Sequence, residues 1–129
     1  MTPLRIAIVG FGKIAADQHV PSIAANPRFE LAATVSRSGA GPKPAFTSVE
    51  DLLASGVPLD AVAIATPPSA RYAIARPCIE AGLHVLLEKP PSVTLGEIAD
   101  LACLAEARPV TLLTTWHSQE NPAVAAAAQ

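Results

Sequence analysis

A glycine-rich segment near the start of the chain has the residue types and the spacing of a phosphate-binding turn. Residues 10–15 are Gly-Phe-Gly-Lys-Ile-Ala, the pattern GxGxxA, and they directly follow a short apolar run. The first glycine permits a tight turn, the second lets backbone N–H groups approach a pyrophosphate, and the small Ala15 lets a helix pack closely on the strand. The pattern alone is weak, but the strand predicted before it and the helix predicted after it favour a dinucleotide site.

The end of the second predicted strand carries residues that distinguish the two nicotinamide dinucleotides. Folds that prefer NAD place an acid there to bind the ribose 2′-hydroxyl, whereas a nearby arginine accommodates the 2′-phosphate of NADP. This sequence has Ser36 and Arg37 and no acid at that place. A hydroxyl and a guanidinium suit a phosphomonoester through charge-assisted hydrogen bonds. We therefore predict NADP as the preferred cofactor and NAD as the second, the alternative being that Arg37 is merely solvated.

A lysine follows the fifth predicted strand, within Glu88-Lys89-Pro90-Pro91. Ligands lie outside the carboxyl ends of the strands in open parallel sheets, so we expect the Lys89 ammonium group to face the nicotinamide crevice. There it could polarise or deprotonate a substrate hydroxyl during hydride transfer. The alternative for Lys89 is a solvated surface lysine.

Strands and helices alternate along the chain and must position these residues. Apolar runs and turn residues predict strands at 4–9, 30–36, 45–47, 59–65, 84–88 and 110–115. Helices are predicted at 13–25, 49–54 and 69–81, and from a capping box at 94–97 to Pro109. The alternation predicts an α/β fold with a doubly wound parallel sheet covered on both faces. Pro77 should bend its helix, and a bare Gly/Pro loop should join the second and third strands.

Composition narrows the function classes. The chain has 129 residues, nine Lys plus Arg, eleven Asp plus Glu and 50% hydrophobic residues. Wholesale disorder is excluded, and the net charge of −2 argues against a nucleic-acid partner. No membrane span, signal peptide or metal site is predicted, so a cytoplasmic protein is expected. Cys78 and Cys103 are expected to be buried, reduced thiols.

Taken together, these motifs resemble the glucose–fructose oxidoreductase/inositol dehydrogenase family over nearly the whole chain. The resemblance is carried by GxGxxA at 10–15, Thr-Pro-Pro at 66–68, Ala-Gly-Leu-His-Val at 81–85 and Glu-Lys-Pro at 88–90. Segments 17–21, 88–91 together with 94–97, and 115–118 are similar to bacterial aldose 1-dehydrogenases that act on L-arabinose or D-galactose. The resemblance implies a Rossmann domain and the oxidation of a pyranose at its anomeric carbon to a lactone, with NADP or NAD.

The resemblance also implies roles for particular residues. The family lysine that lies at the nicotinamide and contacts the reacting hydroxyl maps onto Lys89. His117 would donate or accept a hydrogen bond with a sugar hydroxyl and Trp116 would wall the pocket, the alternative for His117 being a structural histidine. A structural role is favoured for His19. The predicted cofactor-binding residues are Gly10, Phe11, Gly12, Lys13, Ile14, Ser36, Arg37, Thr66, Pro67, Pro68, Glu88 and Lys89.

The sequence departs from the family pattern after the fourth strand. Many family members carry Asn and then His after Thr-Pro, whereas Pro68 and Arg71 stand at those positions here. The contact made by that histidine is therefore expected to be absent or replaced.

The expected domain organisation is one dinucleotide-binding domain at residues 1–120. Residues 121–129 are interpreted as the start of a helix that leads to a substrate domain missing from this chain. Because the family's remaining catalytic residues come from that domain, the chain alone is expected to be inactive, and a homo-oligomer is a hypothesis only for the full-length enzyme. Two alternatives stay open: another sugar, inositol or polyol dehydrogenase of the family, or a nucleotide-binding module without turnover.

Overall fold

The computed structural model describes residues 2–10, 20–39, 41, 44–88 and 93–114. Six parallel strands form one sheet in the order β3-β2-β1-β4-β5-β6. The chain therefore starts in the middle of the sheet, builds outward to one edge, and returns past β1 to build the other half. That reversal, between β1 and β4, is the topological switch point at which such sheets bind ligands. The strands are β1 Leu4–Val9, β2 Phe29–Val35, β3 Ala45–Phe46, β4 Ala61–Ile64, β5 His84–Leu87 and β6 Leu112–Thr114.

Helices cover both faces of the sheet, which confirms the predicted doubly wound fold. Three of them share one core cluster with alternate residues of the central strands, whereas the first lies against the opposite face beside Ile6 and Ala63. The central strands are apolar almost throughout because both of their faces are buried. The helices are α1 Val20–Ala25, α2 Val49–Ala54, α3 Pro68–Glu80 and α4 Leu95–Ala107.

Capping interactions mark the end of α3 and the start of α4. The Glu97 N–H donates to Thr94 Oγ1 over 3.1 Å, and the Thr94 N–H donates to Glu97 Oε1 over 3.3 Å, so the capping box is confirmed. Gly82, at φ +84°, ends α3 in the left-handed conformation. The Leu83 N–H then bonds the Cys78 carbonyl over 3.0 Å, as in a Schellman motif.

Predicted and observed boundaries agree within two residues wherever both lie in the described part of the chain, and backbone hydrogen bonds explain the clearest difference. The predicted start of the first helix at residue 13 lies outside the described residues. The last strand was expected to begin at Val110, but the Val110 N–H donates to the Ala105 carbonyl over 3.2 Å. Val110 therefore belongs to the end of α4, and β6 begins at Leu112. Pro77 lies inside α3, and the helix continues through it to Glu80.

A cluster of polar side chains joins α3 to α4. The Tyr72 hydroxyl donates to Asp100 Oδ2 over 2.6 Å, and Arg76 Nη1 donates to the same oxygen. Arg76 also lies 3.8 Å from Glu80, one helical turn further along. The hydrogen bond from Tyr72, together with Arg76, holds the pKa of Asp100 below its usual range. This cluster fixes the packing of two helices that form one wall of the fold.

The two cysteines lie in different surroundings. Cys78 is buried in α3, and this burial raises the pKa of its thiol to about 12, so it behaves as a small core residue. The prediction that both thiols are buried is wrong for Cys103, which is exposed. Cys103 lies two residues from the buried positions Leu101 and Ala105, and residues two apart point to different sides of a helix.

No helix within the described ranges is long and apolar enough to cross a lipid bilayer.

Candidate functional site

A cleft of about 560 Å³ opens at the carboxyl edge of the sheet, around the switch point. It is lined by the residues that end or follow β1, β2, β3 and β4, by the first turn of α2 and by the first two turns of α3. Its volume falls within the range of small-molecule and cofactor sites. The cleft brings together Gly10, Ser36, Arg37, Thr66 and Pro67, which the sequence placed in three separate segments.

Gly10 forms the floor of the cleft where β1 ends against β4. Its N–H donates to the Val35 carbonyl over 2.7 Å, and its φ is +88°. A Cβ on Gly10 would lie 2.7 Å from Thr66 Cγ2 and 2.8 Å from the Thr66 backbone nitrogen. The two turns can approach this closely only because residue 10 has no side chain.

Gly10→Ala is expected to lower the free energy of unfolding by about 1 kcal/mol more than Gly56→Ala does. Gly56 is the matched control because it has a similar φ of +80° but no atom within 4 Å of a built Cβ. Both variants carry the strain of a left-handed alanine, and only Gly10→Ala adds a collision with backbone atoms. Urea unfolding of the two variants measures the difference, and equal losses would show that Thr66 yields freely.

The end of β2 presents a hydroxyl and a guanidinium to the cleft. The Ser36 N–H donates to the Phe46 carbonyl over 3.0 Å, which ties this end of β2 to β3. Arg37, the next residue, is exposed and lines the cleft. Within the described parts of the chain no ion pair with Arg37 is formed, so its charge faces whatever occupies the cleft.

The opposite rim comes from the turn between β3 and α2, which the sequence analysis did not identify. Thr47, Ser48 and Glu50 line the cleft there. The Ser48 hydroxyl caps α2 by accepting from the Asp51 N–H over 3.1 Å. Glu50 is exposed and brings a carboxylate to the same cleft as Arg37. The sequence offered one signal for this rim, which is that β3 ends at the same edge of the sheet as β1 and β2.

The turn after β4 and the start of α3 form an apolar wall. Thr66 and Pro67 line the cleft together with small and apolar side chains of α3 at Ala70, Ala73 and Ile74. Pro68 is the first residue of α3 and is not among the residues that line the cleft. The short side chains of Ala70 and Ala73 keep this side of the cleft open.

Glu88 and Arg71 lie buried next to this wall. Arg71 and Glu88 are 6% and 7% exposed, respectively. Arg71 Nε donates to the Thr66 carbonyl over 2.8 Å, and its Nη1 donates to the Glu88 carbonyl. Burial lowers the pKa of the Arg71 guanidinium, and the nearby Glu88 carboxylate partly offsets this. A contact therefore does exist at the position where the sequence departs from the family pattern, and an arginine makes it.

Several predicted site residues lie outside the described residues. They are Phe11, Gly12, Lys13, Ile14, Lys89, Trp116 and His117. Their assignments, and the domain division at residue 120, stay predictions. Within the described ranges, no three His, Cys, Asp or Glu side chains are grouped so that they could hold a metal ion.

Comparison with known protein families gives a match over most of the chain. Residues 4–115 match the model of the Gfo/Idh/MocA family, described as an oxidoreductase family with an NAD-binding Rossmann fold. The match includes the glycine-rich turn, the end of β2 and the turn after β4, and it ends just after β6.

The individual relatives include galactose and inositol dehydrogenases. Galactose 1-dehydrogenase from Pseudomonas fluorescens is 48% identical over 100 residues, which cover 77% of this chain and 33% of that protein. Inositol 2-dehydrogenase from Corynebacterium glutamicum (strain R) is 35% identical over 98 residues, covering 67% of this chain and 28% of that protein. The crystal structure of D-galactose-1-dehydrogenase from Rhizobium etli superposes with a TM-score of 0.89 at 47% identity, covering 98% of this chain and 41% of that one.

Proposed function

We propose, from the premise that this chain belongs to the Gfo/Idh/MocA oxidoreductase family, that it is the nucleotide-binding part of an aldose 1-dehydrogenase. The reaction is the oxidation of an aldose of the L-arabinose or D-galactose type at its anomeric carbon, giving a lactone. The observation that carries this proposal is the identity of 47–48% to two galactose 1-dehydrogenases. Because the chain spans about a third of its curated relatives, the activity of the whole enzyme is part of the proposal.

The described residues fit a nicotinamide dinucleotide. The cleft lies at the switch point, the missing side chain of Gly10 lets the end of β1 approach Thr66 closely, and Arg37 at the end of β2 forms no ion pair with any described residue. Gly10, Ser36, Arg37, Thr66 and Pro67 would hold the cofactor, with NADP preferred over NAD. When bound, the dinucleotide supplies the hydride acceptor for the oxidation.

Lys89 is assigned the proton transfer. Oxidation of the anomeric carbon removes one hydride from carbon and one proton from the hydroxyl on that carbon. The neutral Lys89 amine accepts the hydroxyl proton, and the C–O single bond becomes the lactone carbonyl. Trp116 and His117 are assigned to the sugar side of the pocket, where an aromatic face and a hydrogen-bonding ring suit a pyranose.

We propose that the cofactor and the sugar are bound by two different domains, because hydride transfer requires the two to be held in a fixed orientation. We assign residues 1–120 to the dinucleotide-binding domain and residues 121–129 to the start of a helix that would lead to a substrate domain. Lys89, Trp116 and His117 form at most one side of a sugar site, so the second side must come from that domain. Holding the anomeric carbon against the cofactor can supply several kcal/mol of the barrier.

The 129-residue chain is therefore expected to bind NADP weakly and to show no measurable aldose oxidation, whereas the full-length enzyme oxidises aldoses. Titration calorimetry measures the affinity for NADP. A steady-state assay with L-arabinose and D-galactose measures aldose oxidation. Robust lactone formation by the 129-residue chain would contradict the proposal, because it would require a complete sugar site within these residues.

An inositol or polyol dehydrogenase is the second candidate, favoured by the 35% identity to inositol 2-dehydrogenase. Including myo-inositol in the same assay separates the two, since the first proposal predicts turnover with an aldose and none with the polyol. Full-length protein that binds NADP and oxidises neither class would instead favour a nucleotide-binding module. A cytoplasmic location, the absence of nucleic-acid and membrane partners, and a homo-oligomer of the full-length enzyme remain predictions.

A further inference from the structure

Arg71 is a charged residue in a place where charge is unfavourable. It lies in the first turn of α3 with only 6% of its surface exposed. Burial of a guanidinium is tolerated only when its N–H groups find acceptors and its charge is compensated. Among the described residues, two backbone carbonyls accept from the guanidinium, and the nearby Glu88 carboxylate offers a compensating charge.

The two carbonyls that Arg71 contacts belong to two neighbouring turns. Thr66 follows β4, and Glu88 follows β5. The regular pairing of these strands ends with Ile64 opposite Leu87, and the Glu88 N–H adds a bond of 3.3 Å to the Ile64 carbonyl. Beyond that point the side chain of Arg71 links the two turns, because it donates hydrogen bonds to the Thr66 and Glu88 carbonyls at once.

Both turns lead into the site that the proposed function requires. Thr66 lines the dinucleotide cleft, and Glu88 directly precedes Lys89 in the chain. Arg71 itself is not among the described residues that line the cleft, so it acts on the site through the backbone of other residues.

We infer that Arg71 is a positioning residue, whose guanidinium fixes the Glu88 carbonyl, directly before Lys89 in the chain, relative to the cofactor wall at Thr66. The inference rests on the proposed function in one respect, the role of Lys89 in proton transfer. Arg71→Met removes every donor while keeping a long apolar stem. It is expected to lower kcat on the order of 10-fold, because a small displacement of a reacting group is enough for such a loss. The Kd for NADP should change less than about 3-fold, because Arg71 does not line the cleft.

Hydrogen exchange on the 129-residue chain tests, without any turnover, whether Arg71 holds the turns after β4 and β5 together. Amides of residues 64–66 and 86–88 are expected to exchange faster in Arg71→Met than in the unchanged chain. Arg76→Met is the matched control, since Arg76 lies on the same helix and contacts Asp100 and Glu80 rather than the strand ends. Faster exchange in Arg71→Met alone supports the inference, and unchanged exchange at both turns overturns it.

A double-mutant cycle in the full-length enzyme tests whether Arg71 acts through Lys89. If it does, Arg71→Met lowers kcat in the parent enzyme but has little further effect in Lys89→Ala. Full multiplication of the two losses would overturn the inference. Near-normal turnover of Lys89→Ala by itself would overturn the role proposed for Lys89. The exchange experiment would still decide whether Arg71 holds the two turns together.

Arg71→Lys keeps the test decisive if the methionine variant does not fold. Lysine retains the positive charge beside Glu88, but a single ammonium group lacks the planar fork that reaches two carbonyls. The same loss of kcat and the same faster exchange are expected. Full recovery of both properties in Arg71→Lys would show that charge alone matters and would overturn the bridging role.

Discussion

Lys89→Ala is expected to lower turnover on aldoses by at least about 100-fold in the full-length enzyme, the usual scale for a positioned acid–base group. The lysine follows β5, whose neighbour β4 ends in the wall of the dinucleotide cleft. The peptide that leads into it is anchored, because the Glu88 N–H and the Glu88 carbonyl are both hydrogen-bonded. An amine at this point could therefore be held at one place relative to the reacting hydroxyl.

The loss should fall on kcat and leave the Kd for NADP nearly unchanged. A residue that takes a proton only in the transition state contributes little to ground-state binding. Lys89→Arg is the matched variant, because arginine brings a permanent positive charge to the same position and cannot accept the proton. Both variants should be slow, and added primary amines should restore part of the turnover of Lys89→Ala. If Lys89→Ala keeps near-normal turnover, Lys89 is only a charged neighbour of the site.

The fold could be predicted from the sequence because its signals are local. Short apolar runs bounded by Gly and Pro mark the buried strands, and the Thr94–Glu97 capping box fixes the start of α4. Alternation of the two element types then leaves few arrangements other than a parallel sheet. The predicted boundaries were less accurate where a residue that follows a helix hydrogen-bonds back to that helix. Val110 is the example, because its N–H donates to the Ala105 carbonyl near the end of α4.

The candidate site was predicted only in part, because some of it depends on tertiary contacts. Gly10 and Arg37 stand in recognisable patterns beside strand ends, and the structure places both at one cleft. Glu50 has no motif of its own and reaches the cleft only because β3 ends at the same edge. Arg71 was noticed as a departure from a family pattern. Its two carbonyl partners lie 5 and 17 residues away in the chain, and no periodicity predicts the second.

Arg37 is the second residue whose replacement should have a large effect, this time on cofactor selectivity. NADP should bind the 129-residue chain more tightly than NAD, and Arg37→Ala should remove most of that preference. Loss of a hydrogen bond to a charged group is worth about 1.5–3 kcal/mol, so the ratio of the two affinities should fall by about 10-fold or more. NAD has no 2′-phosphate, so its affinity should change little.

Arg28→Ala is the matched control for this measurement. Arg28 is exposed and its carbonyl bonds the N–H of Leu4, so it lies at the amino edge of the sheet, opposite the cleft. Titration calorimetry with both dinucleotides at two salt concentrations should show a preference that weakens with salt in the parent chain and in Arg28→Ala.

The cleft itself explains why one arginine should dominate this selectivity. Among the described residues that line it, the charged side chains are Arg37 and Glu50. A 2′-phosphate is attracted by the first and repelled by the second, so Arg37→Ala leaves a carboxylate as the remaining charge. Adding Glu50→Gln to Arg37→Ala should therefore raise NADP affinity again while leaving NAD nearly unaffected. Equal affinity of the unchanged chain for NAD and NADP would contradict the selectivity assigned to Arg37.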